Sequence, residues 1–204
     1  KIIKSLGRPL YSHIYYNHNF TNSKSKDHYI FKDNKYWGGI IYDCIHEIDI
    51  ILFLFGSVKN VYCKNYKLNN IIKSEDFSSI FLEHKNKIYS TIDLGFINKI
   101  KERGLEIKCE KGEILLKSSN GKKNSYNFEI IRYSGLKREK EIIFRNKKID
   151  HNAQYEEMIN NFLNLKKFNK LNKNLLCTLN EGIEAVKLVD KCYKSNKTSS
   201  IEKC

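Results

Sequence analysis

The sequence predicts an α+β fold: a large, mainly antiparallel β-sheet with helices packed on one face. Three observations carry this. Short alternating or β-branched runs recur between residues 58 and 145 at a spacing of about ten residues. Turn signals such as Lys85-Asn86-Lys87 and Glu110-Lys111-Gly112 separate them, as in a meander of hairpins rather than a parallel sheet. A strongly apolar helix precedes the runs and two amphipathic helices follow them.

Taken in order, residues 9–16 (PLYSHIYY) are aromatic and branched and read as a strand. Residues 17–35 are rich in Asn, Lys and Ser and read as a long loop. Gly38-Gly39 then opens a helix over Ile40–Phe55 that Gly56 stops. On a helical wheel Ile41, Cys44, Ile45, Ile48, Leu52 and Phe55 form one stripe. With Ile50, Ile51, Phe53 and Leu54 the second half is apolar nearly all round, which predicts burial. The strand runs are 58–66, 77–84, 87–96, 103–110, 113–118, 126–133 and 139–145, with a further turn at Asn120-Gly121. One closing helix spans Asn152–Lys166, with Tyr155, Ile159, Phe162 and Leu163 on one face. The other spans Leu179–Lys194, with a stripe of Ile183, Val186 and Val189 and a capping box of Thr178 and Glu181. A short strand is expected near Ser199-Ser200-Ile201.

The 204 residues are 41% hydrophobic and 29% charged, with 10 Gly and one Pro, which fits one packed domain and argues against disorder. The net charge of +14 invites a nucleic-acid reading. Against it, the charge is nearly all scattered Lys. Arg, the fork that reads phosphates and bases, occurs only at 8, 103, 132, 138 and 145. No nucleic-acid partner is expected. The longest apolar stretch, Ile40–Phe55, carries Asp43, His46, Glu47 and Asp49, so no membrane span is expected. The six cysteines show no CxxC pair and no zinc spacing, which points to reduced thiols, a cytoplasmic setting and no metal. No Met opens the chain, and it reads as a piece of a longer polypeptide.

The chemistry lies in GGIIYDCIHEIDIILFLFG, residues 38–56. Asp43 and His46 stand three apart on a helix, close enough to touch. Ionisable groups at the start of a buried helix are costly unless paired or functional. A carboxylate that fixes the tautomer of a His makes it a proton acceptor for a substrate hydroxyl. GxGxxG and GxxxxGK[ST] are both absent, so residues that would hold a dinucleotide stay unassigned.

Gly38, Gly39, Asp43, His46, Asp49 and Gly56, in the pattern Gly-Gly, three residues, Asp, His-x-x-Asp, apolar run, Gly, resemble the Gfo/Idh/MocA oxidoreductase family. Weaker matches follow in order: Tyr89–Phe96 as the central strand, the stretch from Arg103 through Ile114, the helix from Asn152 to Phe162, and the helix from Leu179 to Ser195. The likeness thus covers nearly the whole chain. The Asp-to-His spacing of three departs from the family's usual four. It fits a D-x-x-H-E-x-D subgroup associated with sugars for surface polysaccharides.

The resemblance implies that residues 1–204 are the family's C-terminal substrate-binding and oligomerisation domain. The N-terminal Rossmann domain, which holds NAD or NADP and supplies a catalytic Lys, would lie outside this chain. The implied function is NAD(P)-dependent oxidation of a sugar, sugar-nucleotide or cyclitol hydroxyl, with the fragment alone inactive. His46 would accept the proton, and Asp43 would orient His46 or bind a neighbouring hydroxyl. Lys35 would reach a sugar hydroxyl or phosphate, or else be a solvated loop residue, and Asp93 would face the substrate cleft or an exposed side of the sheet. Asp49 reads as structural, and His13, His18, His28, His84 and His151 as surface or packing residues. A homodimer or homotetramer through the sheet is expected. The alternative is a non-catalytic binding or scaffold module of the same fold.

Overall fold

The computed structural model describes residues 2–18, 28–33, 35, 37–69, 72–97, 101–120, 125–135, 137–163 and 177–204. A short helix α1 (Ile2–Ser5) leads into strand β1 (Pro9–Asn17). A 3-10 turn (Tyr29–Phe31) precedes helices α2 (Ile40–Asp43) and α3 (Ile45–Phe55). Seven strands follow: β2 (Val58–Tyr66), β3 (Phe77–His84), β4 (Tyr89–Gly95), β5 (Glu102–Cys109), β6 (Gly112–Asn120), β7 (Ser125–Ser134) and β8 (Glu139–Asp150). Helices α4 (His151–Leu163) and α5 (Leu179–Thr198) and strand β9 (Glu202–Lys203) complete the order.

The strands form one sheet in the order β8-β7-β6-β5-β1-β4-β3-β2-β9. It is antiparallel except where β1 runs parallel to β4, with Ile14 opposite Ile92. The simple meander is therefore interrupted. β1, which precedes the helices in sequence, inserts between β4 and β5, and no turn signal announces so distant a pairing.

Side chains alternate between the two faces. One cross-strand row, Cys63, Ile80, Ile92, Ile14 and Leu105, faces the helices and is buried. The row one residue over, Tyr62, Phe81, Thr91, His13 and Glu106, lies on the opposite, open face. The core packs Ile41, Ile48, Ile51 and Phe55 against the sheet together with Leu188, Val189 and Cys192 of α5. Each fully buried side chain of this size contributes about 1.5–3 kcal/mol relative to exposure.

Several expectations need correction. The helix over 40–55 is broken at Cys44, whose φ of −107° and ψ of 26° separate α2 from α3. Its second half is not buried all round, because Phe53 is 68% exposed. The capping box of Thr178 and Glu181 is present, but α5 buries Ala185, Leu188, Val189, Cys192 and Ser195, whereas Ile183 and Val186 are exposed. The rotation has a polar cause. The backbone N–H groups of Cys63 and Asn65, on the β2 edge that β9 leaves uncovered, donate to Ser195 Oγ at 3.0 Å and Asn196 Oδ1 at 2.9 Å. Ser199, in the left-handed region at φ 52°, ends α5 and delays the last strand to Glu202–Lys203.

The apolar stripe of α4 is exposed, and residues 164–166 of the expected helix, much of the loop over 17–35 and Gly121 lie outside the described residues. Cys44, Cys63, Cys109 and Cys192 are buried free thiols, and Cys177 and Cys204 are exposed free thiols. Among the described residues no helix is long and apolar enough to cross a membrane.

Candidate functional site

The Gly38-Gly39 turn places the start of α2 against its surroundings without room for side chains. A Cβ on Gly38 would stand 2.0 Å from the Lys32 carbonyl oxygen, and Gly39 adopts φ +97° with its Cβ position 2.3 Å from Glu75 Oε1. Gly39 cannot cap the helix, and Glu75 does so from a distant loop. Its backbone carbonyl accepts the Ile40 N–H at 3.2 Å and its carboxylate accepts the Ile41 N–H at 3.3 Å. Tyr193 of α5 donates to the same carboxylate oxygen at 2.7 Å, which fixes the cap. This buried carboxylate was invisible to motif reading, since a helix cap is normally sought beside the helix.

The break at Cys44 decides what the helix start presents. Asp43, on α2, accepts a hydrogen bond from Tyr29 Oη at 2.5 Å, and its other oxygen lies 3.9 Å from His18 Nε2. His46, on α3, follows a different carboxylate: its Nε2 is 3.2 Å from Oε1 of Glu47. The contact expected between Asp43 and His46 is thus replaced by two separate pairings, because the turn at Cys44 interrupts the regular spacing that makes residues three apart neighbours.

Glu47 is wholly buried, and Arg103 Nε of β5 lies 2.7 Å from its Oε1. Arg103 also stands over the Tyr16 ring, 5.7 Å from its centroid, and Lys101 Nζ is 5.4 Å from the same centroid. Tyr16 lies between the two imidazoles, with ring centroids 4.6 Å from His18 and 5.7 Å from His46. His18 in turn meets Phe96 edge-on at 5.1 Å. These residues converge because β1 and β4 run parallel and end together: the His18 N–H donates to the Gly95 carbonyl at 3.0 Å.

Burial, with the charges of Lys101 and His46 adding, pulls the His18 imidazole down to about 3, so it is neutral near pH 7. Burial, then the hydrogen bond to Asp43, pushes the Tyr29 phenol up. Burial also raises Tyr16, with Lys101 and Arg103 pulling the other way. The side chain of His46, by contrast, is 47% exposed, so a reactant can reach it. Arg103 also borders an open cavity of about 470 Å³, but Tyr15, Lys117 and Arg145 in its lining share the cross-strand row of Asp93, on the face of the sheet away from His46.

His18, Asp43 and Cys44 each bring one donor atom within 4.8 Å of the others. Among the three, the Cys44 thiol donates to Asp43 at 4.0 Å, and His18 Nε2 lies 3.9 Å from the same carboxylate oxygen. Tyr29 donates a hydrogen bond to Asp43, and burial pushes the Cys44 thiol well up.

The remaining sequence candidates fall elsewhere. Asp93 is on the open face of the sheet, where His13 Nε2 lies 2.9 Å from one oxygen and Ser79 Oγ donates to the other at 2.6 Å. It is separated from His46 by the sheet itself. Lys35 is exposed in the loop before Gly38, and its backbone N–H donates to Asp33. Asp49 is partly buried, and burial followed by the charge of Glu181 raises its carboxyl. Motif reading missed His18, Tyr16, Tyr29, Glu47, Lys101 and Arg103. One signal was present for two of them: Tyr16-x-His18 alternates at the end of a strand and therefore shares a face.

The pattern of the oxidoreductase family C-terminal alpha/beta domain (GFO_IDH_MocA_C) matches residues 1–202. The chain belongs to this family. A D-apiose dehydrogenase from Rhizobium rhizogenes is 34% identical over 56 residues, which is 28% of this chain and 16% of that protein. A crystal structure of an oxidoreductase from Agrobacterium radiobacter, in complex with NAD+, L-tartaric acid and magnesium, superposes with a TM-score of 0.74 at 19% identity, covering 99% of this chain and 59% of that one. Levoglucosan dehydrogenase in its apo form superposes with a TM-score of 0.76 at 12% identity, covering 98% of this chain and 61% of that one. This Gfo/Idh/MocA domain therefore spans about three-fifths of the length of those two structures.

Proposed function

We propose that this chain is the substrate-binding part of an NAD(P)-dependent oxidoreductase acting on a hydroxyl of a sugar, sugar nucleotide or cyclitol, with His46 as the group that takes up and returns the hydroxyl proton. The observation that carries the reading is the half-exposed His46 imidazole set beside a wholly buried carboxylate at the mouth of a converging polar site. Such a pairing of an accessible base with a buried charge suits proton transfer. The names of the apiose and levoglucosan dehydrogenases, and the NAD+ in the Agrobacterium complex, support the substrate class and the cofactor.

The sequence has no glycine-rich phosphate loop, so these residues present the substrate side of the site while a dinucleotide's pyrophosphate is held elsewhere. When bound, the nicotinamide supplies a hydride acceptor. The chain's own residues do the rest. His46 accepts the proton of the reacting hydroxyl. Asp43, fixed by Tyr29, accepts a hydrogen bond from a neighbouring hydroxyl. Neutral His18 and the Tyr16 ring wall the site, and Lys101 adds positive potential where oxyanion character develops. Lys35, one turn ahead of the Gly-Gly segment, is proposed to reach a substrate oxygen. Asp93 is proposed to act instead in the sheet face, with His13.

That open face carries exposed Tyr62, Phe81 and Tyr89, the last two stacked with centroids 5.9 Å apart. Aromatic side chains in adjacent rows of an uncovered sheet support association of two copies through it. Six free thiols suit a cytoplasmic setting.

The test is a screen of aldoses, D-apiose, levoglucosan, cyclitols and nucleotide sugars with NAD+ and NADP+, following reduced nicotinamide, using the full natural polypeptide that contains residues 1–204. Turnover of a member of this set is expected. Binding of these compounds without turnover under both cofactors would favour the scaffold reading.

A further inference from the structure

We propose that Glu47, clamped by Arg103, is the positioning residue for His46: it orients the imidazole and balances the charge that His46 acquires with the proton. The proposal rests on the reading of His46 as the acid–base group. Asp43, the carboxylate that the sequence offers for this part, is turned to Tyr29 and His18 by the break at Cys44. Glu47 stands next to His46 in the chain, and its Oε1 lies 3.2 Å from His46 Nε2 and 2.7 Å from Arg103 Nε.

Packing does not require a carboxylate there. The position is wholly buried, and α3 is already anchored by Ile48, Ile51 and Phe55. An apolar side chain of similar volume would serve a purely structural purpose at lower cost, since two desolvated charges seldom outdo well-packed carbon. What the carboxylate adds is a negative charge at a fixed point beside an accessible imidazole. Arg103, with its Nε 2.7 Å from Glu47 Oε1, supplies the counter-charge that makes the buried carboxylate tolerable. The same guanidinium lies over the Tyr16 ring, which forms the other wall of the His46 imidazole. The imidazole thus lies between the Tyr16 ring and the Glu47 carboxylate.

In the reaction the hydroxyl proton moves to His46 while the hydride from the same carbon goes to the oxidised nicotinamide. The imidazole becomes a cation, and the Glu47 carboxylate lies at ion-pair distance from it. On the return step the same geometry presents the imidazolium to the carbonyl oxygen.

The experiment compares wild type, Glu47→Gln, the double variant Glu47→Gln/Arg103→Met and His46→Ala in the full natural polypeptide. One readout is the ¹⁵N spectrum of the His46 ring without substrate, which reports tautomer balance. The other is kcat and KM for the sugar that wild type turns over. In Glu47→Gln the His46 ring nitrogens are expected to shift toward the averaged pattern of a free imidazole. There kcat falls about 10²-fold, while KM changes by less than about threefold. The double variant removes both charges and leaves none unpaired, so it separates folding from positioning, and the same two losses are expected in it. An unchanged His46 spectrum, or wild-type kcat, in a folded variant lacking the Glu47 charge would overturn the proposal. Undiminished turnover by His46→Ala would instead overturn the acid–base reading, while the ring spectra would still report whether Glu47 holds the imidazole.

Discussion

Arg103 Nε of β5 lies 2.7 Å from the wholly buried Oε1 of Glu47 on α3, and this pair ties the helix that carries His46 to the centre of the sheet. Removing one partner leaves an uncompensated charge in the core. Arg103→Met is expected to lower the unfolding free energy by about 3–5 kcal/mol, and Glu47→Gln/Arg103→Met to regain most of that loss. Urea denaturation of the single and double variants measures it. Losses that simply add would mean that the two side chains do not act as a pair.

The start of α2 depends on a cap supplied from outside the helix. Glu75→Ala is expected to cost about 1–2 kcal/mol, because the Ile41 N–H loses its acceptor. Tyr193→Phe is expected to cost about 1 kcal/mol through the lost bond to the same carboxylate. Gly39→Ala is expected to be at least as damaging as either, since it combines φ +97° with a Cβ position 2.3 Å from Glu75 Oε1. Thermal denaturation ranks the three.

Stability is expected to fall on mild acidification. Burial lowers His18, to about 3, and also His84, from an ordinary value of 6.5. Between the folded and unfolded values the unfolded chain binds more protons, so these groups favour folding fully above pH 6.5 and less as pH drops below it. His13 acts in the opposite sense. Its bond to Asp93 raises it, so its stabilisation is complete below 6.5 and fades as pH rises through the folded value. Urea midpoints at about pH 7.5 and about pH 5 should therefore decrease, and His13→Asn should steepen the decrease. A midpoint that rises at the lower pH in both proteins would contradict this account.

The open face of the sheet is the expected contact between copies. Phe81→Lys with Tyr89→Lys places two charges among its exposed aromatic side chains and is expected to shift the protein to monomer in size-exclusion chromatography with light scattering, leaving its circular dichroism unchanged. An unaltered oligomer would place the contact elsewhere.

Much of the architecture was legible because it is written locally. Period-two runs marked the strands over 58–145, and Thr178 with Glu181 marked the start of α5, where the capping box indeed forms. What could not be read depends on contacts between distant residues. No local pattern distinguishes β1 as the parallel neighbour of β4, yet that pairing brings His18 and Phe96 together. Asp43 and His46 had the right spacing to touch, but a single non-helical residue, Cys44, re-aimed Asp43 and gave His46 a different carboxylate. Asp93 illustrates the limit of alternation: the pattern showed that Tyr89, Thr91 and Asp93 share a face, but only the packing of α3 and α5 shows that it is the uncovered one.

The central claim is tested most directly by the turnover number of His46→Ala in the full natural polypeptide, with the sugar and cofactor that wild type uses. If His46 moves the hydroxyl proton, kcat falls by about 10²–10⁴-fold, with wild-type melting behaviour retained. Turnover within about twofold of wild type would contradict that role and leave the converging site of Tyr16, His18 and Asp43 as a binding surface only.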